Sequence, residues 1–305
     1  MHDITICICT LRRPISLRRL LQCLPSQQRD DRYSMSVVVV DNDALLSGQS
    51  VVYEASNNLQ IPIRYFKEPN RNISLARNLA IANATGDLIA FIDDDEFPAE
   101  AWLDNLVECY DSYGVDGVLG PVKPDYEIPP PKWVLDGKLC ERPTHPTGTR
   151  ITGKDMRTGN ALLSRALFSK DEVPFDPRFG IIGGGDVDFF LRQVEQGKSF
   201  IWCNEGIVFE SVPAERLTRS YFLTRALSRG AANAMKTRFI SFETFKSCLA
   251  LGLYPLLFFF SILRGHGAFM KLLISYCDHL GKLMGLIGIR PVKGRPYANL
   301  EEPHK

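Results

Sequence analysis

Three short β-rich runs, each ending in polar residues and each separated from the next by a helical repeat, constrain this chain more than any other feature. Ile4-Thr5-Ile6-Cys7-Ile8-Cys9 ends in Thr10, the β-branched Val37-Val38-Val39-Val40 ends in Asp41-Asn42-Asp43, and Leu88-Ile89-Ala90-Phe91-Ile92 ends in Asp93-Asp94-Asp95. After the first run comes an Arg12-Arg13-Pro14 turn, and then Leu17, Leu20, Leu21 and Leu24 at helix spacing. Leu75, Leu79 and Ala82 mark one face of a second helix over 74–84, which Gly86 stops. Unbroken apolar runs belong to strands covered on both faces, and alternation of strand with helix predicts an α/β, doubly wound, mainly parallel sheet. Such sheets bind ligands beyond the carboxyl ends of their strands, so the three polar clusters are expected to converge on one crevice.

At 305 residues the chain is longer than a typical domain, which predicts a catalytic domain over 1–215 and a helical, basic and apolar extension over 216–305. Prolines 121, 124, 129–131, 143 and 146 rule out long helices between them, so 121–157 reads as an irregular loop region on the acceptor side of the crevice. A glycine-rich turn over 180–185 leads into a predicted helix from Asp186 to Gln196, closed by Gly197. Ordinary apolar (45%) and charged (23%) fractions exclude disordered and collagen-like chains.

The near-neutral total conceals an asymmetry: 22 Lys and Arg against 31 Asp and Glu in 1–215, but 14 against 4 in 216–305. A basic, apolar tail without a nucleic-acid motif points to an anionic membrane surface as partner and to no nucleic acid. The apolar run 248–263 is 16 residues long, contains Pro255 and lies between Lys246 and Arg264, short of the roughly 20 residues a span needs. With a second stretch over 268–289 it reads as a re-entrant or interfacial pair, or else as a pair closing the core or a dimer contact. Eight scattered cysteines without a C-x-x-C pair read as reduced packing residues. The first ten residues lack a basic n-region and an apolar h-region, so the expectation is no signal peptide, with the protein on the cytoplasmic face of the plasma membrane.

Three consecutive carboxylates at the end of a buried strand repel one another and call for a cation. Alternation along an extended backbone places Asp93 and Asp95 on one side and Asp94 on the other. A D-x-D pair of this kind suits Mg²⁺ or Mn²⁺ with substrate phosphates completing the shell; a solvated acidic loop is the other reading.

Asn72-Ile73-Ser74-Leu75-Ala76-Arg77-Asn78, Ala84-Thr85-Gly86-Asp87 and Phe91-Ile92-Asp93-Asp94-Asp95-Glu96 follow one another at a spacing that resembles family 2 glycosyltransferases of the GT-A fold. The resemblance covers roughly 3–235 and is nearest to bacterial exopolysaccharide enzymes of the succinoglycan type. It implies a nucleotide-sugar donor and a divalent metal; UDP-glucose is the first guess for the donor, and the basic, apolar tail fits an acceptor oligosaccharide carried on a polyprenyl diphosphate. By position it implies nucleotide contacts at Asp41, Arg77 and Asp93, with Thr10, Arg12 and Asp94 counted in the same pocket, and Asp95 as the metal ligand. Asp41 also reads as a cap for the following segment, and Arg77 as a solvated helix residue.

Gly183-Gly184-Gly185-Asp186-Val187-Asp188-Phe189-Phe190-Leu191-Arg192 resembles the E-D-x-D-x-x-x-R block, which makes Asp186 the general base; Gly185 stands where the family has an acid. A cap for the helix it begins is the alternative for Asp186, and Asp188 with Arg192 forms either a sugar-site group or an i,i+4 pair. Gly159 and Asn160, in a G-x-N-like Thr158-Gly159-Asn160, and Trp133 in the proline-rich loop are assigned to the sugar or acceptor, packing being the other reading for the tryptophan. The implied reaction is a single inverting displacement. A nucleotidyltransferase lacks its glycine-rich phosphate loop in Thr10-Leu11-Arg12-Arg13-Pro14, and an aspartyl phosphatase lacks the threonine of D-x-D-x-T. A catalytically silent, membrane-associated scaffold on the same fold remains the rival reading.

Overall fold

The structure, a computed structural model, describes residues 1–27, 32–168, 173–234, 237, 239–289 and 291. Strand and helix alternate as β1 (His2–Thr10), α1 (Pro14–Cys23), β2 (Tyr33–Asp41), α2 (Gln49–Asn58), β3 (Ile63–Lys67), α3 (Ile73–Asn83) and β4 (Leu88–Ile92). There follow β5 (Glu96–Pro98), α4 (Trp102–Tyr113), β6 (Gly117–Leu119), β7 (Val122–Tyr126), α5 (Lys132–Asp136) and β8 (Asn160–Ser164). The remainder is α6 (Phe179–Ile182), α7 (Gly185–Glu195), β9 (Phe200–Trp202), β10 (Val208–Val212), α8 (Arg219–Ala234), α9 (Phe242–Leu263) and α10 (His266–Leu286).

Seven strands form one sheet in the order β3-β2-β1-β4-β8-β6-β9. The first four are mutually parallel, and Thr10 pairs with Asp41 in register, so two of the polar clusters end level with one another. β8 runs antiparallel to β4, with Asn160 opposite Ile92. That reversal brings the start of β8 to the edge where the parallel strands end.

Alternation along the strands divides the apolar residues between two helical layers. Ile4, Ile6, Ile8, Val37 and Val39 pack with Leu17, Leu20 and Leu21 of α1 and with Trp102, Leu103 and Leu106 of α4. Cys7, Val38, Val40, Ile89 and Phe91 pack with Ala76 and Ala80 of α3 and with Phe189 and Phe190 of α7. The turn before β4 needs glycine, because a Cβ on Gly86 would lie 2.4 Å from the Asp3 carbonyl oxygen.

Two compact units divide the chain: Met1–Lys123 with Arg142–Glu210, and Pro124–Glu141 with the described residues from Ser211 onward. Pro124–Glu141, read from sequence as part of the first domain's loop region, belongs to the second unit because Trp133, Val134 and Leu139 pack with Val212, Leu217 and Phe222. Within that unit α8 and α10 meet at glycines: a Cβ on Gly230 would lie 2.0 Å from the Asp278 carbonyl, and one on Gly281 2.2 Å from that of Leu227.

The apolar run read as 16 residues belongs to a 22-residue helix, α9. Its start is set by Ser241, whose hydroxyl accepts from the Thr244 amide, and Pro255 is accommodated inside it. At 1.5 Å per residue the helix is about 33 Å long, enough in length and composition to cross a bilayer.

Candidate active site

The acidic cluster at the end of β4 is a turn, closed by the Glu96 amide donating to the Asp93 carbonyl at 3.1 Å. Side-chain alternation therefore stops at Ile92, and the three carboxylates are not distributed as an extended strand would place them. Asp94 is 4% exposed and accepts from Thr10 Oγ1 at 2.8 Å. Arg13 Nη1 bridges Asp94 Oδ1 at 2.8 Å and Asp95 Oδ2 at 3.1 Å, so Asp94 and Asp95 share a counter-ion. Asp93 stands apart, with Arg77 Nη2 at 3.9 Å. Desolvation raises the Asp93 carboxyl to about 6, Arg77 opposing it and Asp95 adding to it. Asp94 is raised by desolvation too, with Arg13 holding it back. Arg13 was not singled out in the sequence; the signal available was a cation beside Thr10 at the end of β1, on the edge where β4 also ends.

Behind the turn Glu96 is fully buried, receives the Asp93 amide on Oε2 at 3.1 Å, and has no hydrogen-bond partner for Oε1. In the β5–β10 ladder it lies directly opposite Glu210, an unfavourable like-charge pair that Arg142 relieves by bonding Glu210 and standing 3.7 Å from Glu96. Burial pushes the Glu96 carboxyl well up, with Asp93 adding to the effect and Arg142 opposing it. Gly159 fits against this corner: a Cβ there would lie 2.9 Å from Glu96 Oε1 and 3.1 Å from Asp93 Oδ2.

Asp41 is fully buried and accepts from the Gly48 amide at 2.7 Å, the Tyr65 hydroxyl at 2.9 Å and the Asp43 amide at 3.0 Å. Gly48 is the residue that opens α2, so the carboxylate serves as a cap from a distance and fixes the loop over 41–48. Desolvation raises its carboxyl, and those three donors oppose the rise. Arg12 sits in the left-handed region at φ 54°, its amide donating to Ser47 Oγ and its Nε 3.4 Å from Asp43 Oδ1. It therefore lies across the same loop.

Asn160 faces inward. Its Oδ1 accepts from Trp102 Nε1 at 2.8 Å, and its Nδ2 donates to the carbonyls of Pro121 at 3.0 Å and Gly206 at 2.7 Å. Trp133 belongs to the second unit, where its ring meets Phe222 edge-on at 5.7 Å with Arg219 above it. Asp186 is the second residue of α7, its Oδ1 accepting from the Val187 amide, and a Cβ on the preceding Gly185 would lie 3.2 Å from the Ser74 hydroxyl at the start of α3. Helix α3 begins where β3 has ended, which sets Asp186 on the carboxyl edge of the sheet. Asp188 pairs with Arg192 at 3.1 Å along the helix. The site thus gathers Thr10, Arg13, Asp94 and Asp95 in one group and Arg77, Asp93, Glu96 and Gly159 in a second.

Comparison with known proteins gives the family and the fold. The family profile Glycosyl transferase family 2 matches residues 5–170. Succinoglycan biosynthesis protein ExoM of Rhizobium meliloti is 35% identical over 230 residues, spanning 74% of this chain and 72% of that protein. Glycosyltransferase AglE of Haloferax volcanii is 26% identical over 200 residues, spanning 63% of this chain and 61% of its own length. The crystal structure of S. aureus TarS 1-349 in complex with UDP-GlcNAc superposes with a TM-score of 0.56 at 13% identity, over 95% of this chain and 93% of that one, which establishes the shared fold. With the profile running from β1 past the acidic turn to β8, and the ExoM identity extending across most of both proteins, the chain belongs to glycosyl transferase family 2.

Proposed function

We propose that this family 2 enzyme is an inverting glycosyltransferase that moves a sugar from a UDP-linked donor, UDP-glucose being the first to test, onto a polyprenyl-diphosphate-linked oligosaccharide in exopolysaccharide synthesis. The observation that carries the reading is the acidic turn at the end of β4, flanked by the guanidiniums of Arg13 and Arg77 on the carboxyl edge of a parallel sheet. The ExoM similarity supports the exopolysaccharide setting, and the UDP-GlcNAc complex of TarS supports a UDP-linked donor.

In this reading the acceptor hydroxyl oxygen attacks the anomeric carbon while Asp186 takes its proton. The bond from that carbon to the diphosphate oxygen breaks, and UDP departs with the electron pair. General-base help of this sort contributes about 10²–10⁴ in rate. Arg77 and Arg13 place fixed positive charge where the diphosphate gains negative charge. Among the described residues no three His, Cys, Asp or Glu side chains gather into a protein-only metal cage. An Mg²⁺-type ion does not require one, since it takes one or two carboxylates with substrate phosphates and water, so the acidic turn fits and Asp95 would hold the ion. Bound there, Mn²⁺ or Mg²⁺ supplies counter-charge to the diphosphate. The basic second unit and its apolar α9 support association with the cytoplasmic face of the membrane, where such an acceptor resides.

A panel of nucleotide sugars offered with Mn²⁺ and a native lipid extract tests the reading: label should pass from one donor into lipid, and Asp186→Asn should cut transfer to a trace, about 10²–10⁴-fold lower, while leaving UDP affinity nearly intact. Transfer at the normal rate by that variant would remove Asp186 from its role. UDP binding without turnover of any donor would favour the silent scaffold.

A further inference from the structure

We propose that Asn72, the cap of α3, and Asn78, on its second turn, are positioning residues for Asp186; the proposal rests on the general-base reading of that aspartate. The stretch before α7 has little regular structure of its own. It contains Pro174 and Pro177, a four-residue helix, and two consecutive glycines with positive φ, Gly183 at 91° and Gly184 at 87°. Such a backbone is conformationally permissive and needs external struts if the side chain it delivers is to be held in place.

α3 supplies them. Asn78 takes both backbone groups of Phe175, its Oδ1 accepting the amide at 2.9 Å and its Nδ2 donating to the carbonyl at 2.8 Å. The buried Phe175 ring then packs against Phe189 at 4.9 Å with the planes tilted by 36°, and Phe189 lies on α7 three residues beyond Asp186. Asn72 Nδ2 donates to the Pro177 carbonyl at 2.8 Å while its Oδ1 caps α3 through the amides of Ser74 and Leu75. Asn72 is itself held by Asn42, at the end of β2, whose Oδ1 accepts the Asn72 amide at 2.8 Å. Gly180 closes against this arrangement, since a Cβ there would lie 1.5 Å from Asn72 Oδ1.

The same helix directs Arg77 towards Asp93 and over the Phe175 ring at 5.5 Å. One rigid element therefore sets the donor-side carboxylate and the base-bearing segment together. The residue type follows from the task. Each position donates and accepts from one side-chain terminus, which a carboxamide does and an ionised carboxylate cannot.

That chemistry provides near-isosteric tests. Asn72→Asp keeps the cap of α3 and loses only the donor to Pro177; Asn78→Asp keeps the acceptor for the Phe175 amide and loses the donor to its carbonyl. Gly180→Ala displaces the Asn72 carboxamide, both from Pro177 and from its cap on α3, without changing a residue of α3. Transfer of label from UDP-glucose to a native lipid extract should show kcat lowered about tenfold in each variant and about a hundredfold in the double asparagine variant, with UDP affinity within about twofold of the parent. Amide hydrogen exchange across 175–188, which requires no donor, should accelerate while β1 and β2 stay protected. In an Asp186→Asn background, with no base left to place, the asparagine substitutions should cost nothing further in the residual rate.

Unchanged exchange across 175–188 overturns the proposal. So does a full multiplicative loss in the Asp186→Asn background, which would mean that the variants act on the fold at large. Parental kcat in the double asparagine variant beside a trace-level Asp186→Asn defeats the positioning role alone, whereas a fully active Asp186→Asn defeats the base assignment beneath it. Should the Asn78 variant fail to fold, Asn72→Asp and Gly180→Ala decide the matter.

Discussion

Arg13 Nη1 lies 2.8 Å from Asp94 Oδ1, in a pair whose side chains are only 22% and 6% exposed, and the same nitrogen reaches Asp95. Removing one partner of so buried a pair leaves an uncompensated charge and costs about 3 kcal/mol. Arg13→Met should therefore lower the thermal midpoint, and the loss should depend on pH. Desolvation already raises the Asp94 carboxyl in the fold, and deleting the cation that opposes it raises it further. A carboxyl raised on folding binds its proton more tightly in the native state, so native stability declines as pH climbs above the ordinary carboxylate value of 3.8. Thermal melts of parent and variant should thus lie closer together at pH 5 than at pH 8. A gap independent of pH would show that Arg13 does not act through these carboxylates.

Gly159→Ala tests the second group of the site. The added methyl would lie 2.9 Å from Glu96 Oε1 and 3.1 Å from Asp93 Oδ2, and Asp93, the more exposed of the two carboxylates, is the one able to give way. UDP affinity measured by calorimetry should fall about tenfold with the melting midpoint little changed. Parental affinity in this variant would dissociate Asp93 from nucleotide binding.

What could be read from the chain, and what could not, follows from the range of the interactions. β1, β2 and β4 were legible because a strand covered on both faces must be apolar throughout, as Val37–Val40 is. The acidic turn was legible as a cluster, but the split of its carboxylates between Arg13 and Arg77 was not, because the chain turns immediately after Ile92. Arg142 gave no signal. Its partners Glu96 and Glu210 lie 46 and 68 residues away, and nothing local to a proline-rich stretch records an ion pair of that separation. The start of α9 was missed for a different reason: Glu243, Thr244, Lys246 and Ser247 interrupt the apolar run, yet Ser241 caps a helix that runs through them.

Asn160 separates a structural role from a functional one. The family-like Thr158-Gly159-Asn160 suggested a sugar contact, whereas all three of the carboxamide's bonds are directed into the protein, to Trp102, Pro121 and Gly206. Asn160→Ala leaves the Trp102 indole N–H and the Gly206 carbonyl without partners in a buried setting, while Pro121 keeps the Val208 amide, at about 1–3 kcal/mol for each group that stays unsatisfied. The expected outcome is a large fall in the denaturation midpoint, with the donor KM of the remaining folded enzyme unchanged. A raised donor KM at parental stability would restore the sugar-contact reading.

The outward face of α9 decides how the second unit is used. Leu256 and Phe260 lie one turn apart and are 68% and 62% exposed, so lysine at both positions removes few contacts within the unit. The opposite face of the helix holds α10 through Ser247, whose hydroxyl meets His279 Nδ1 at 3.0 Å, and through Phe258 against Tyr276 at 5.7 Å. Neither contact involves the substituted positions. If the exposed face enters lipid, each side chain contributes about 1.5–3 kcal/mol of transfer energy. The double lysine variant should then lose at least about tenfold in binding to phosphatidylglycerol-containing vesicles, while UDP affinity and melting midpoint hold. Added salt should weaken the parent's vesicle binding only in part, because the basic residues of the unit supply the screened component and α9 the apolar one. Vesicle binding equal to the parent's, combined with conversion of a dimer to a monomer in solution, would assign the face to a second copy of the chain instead.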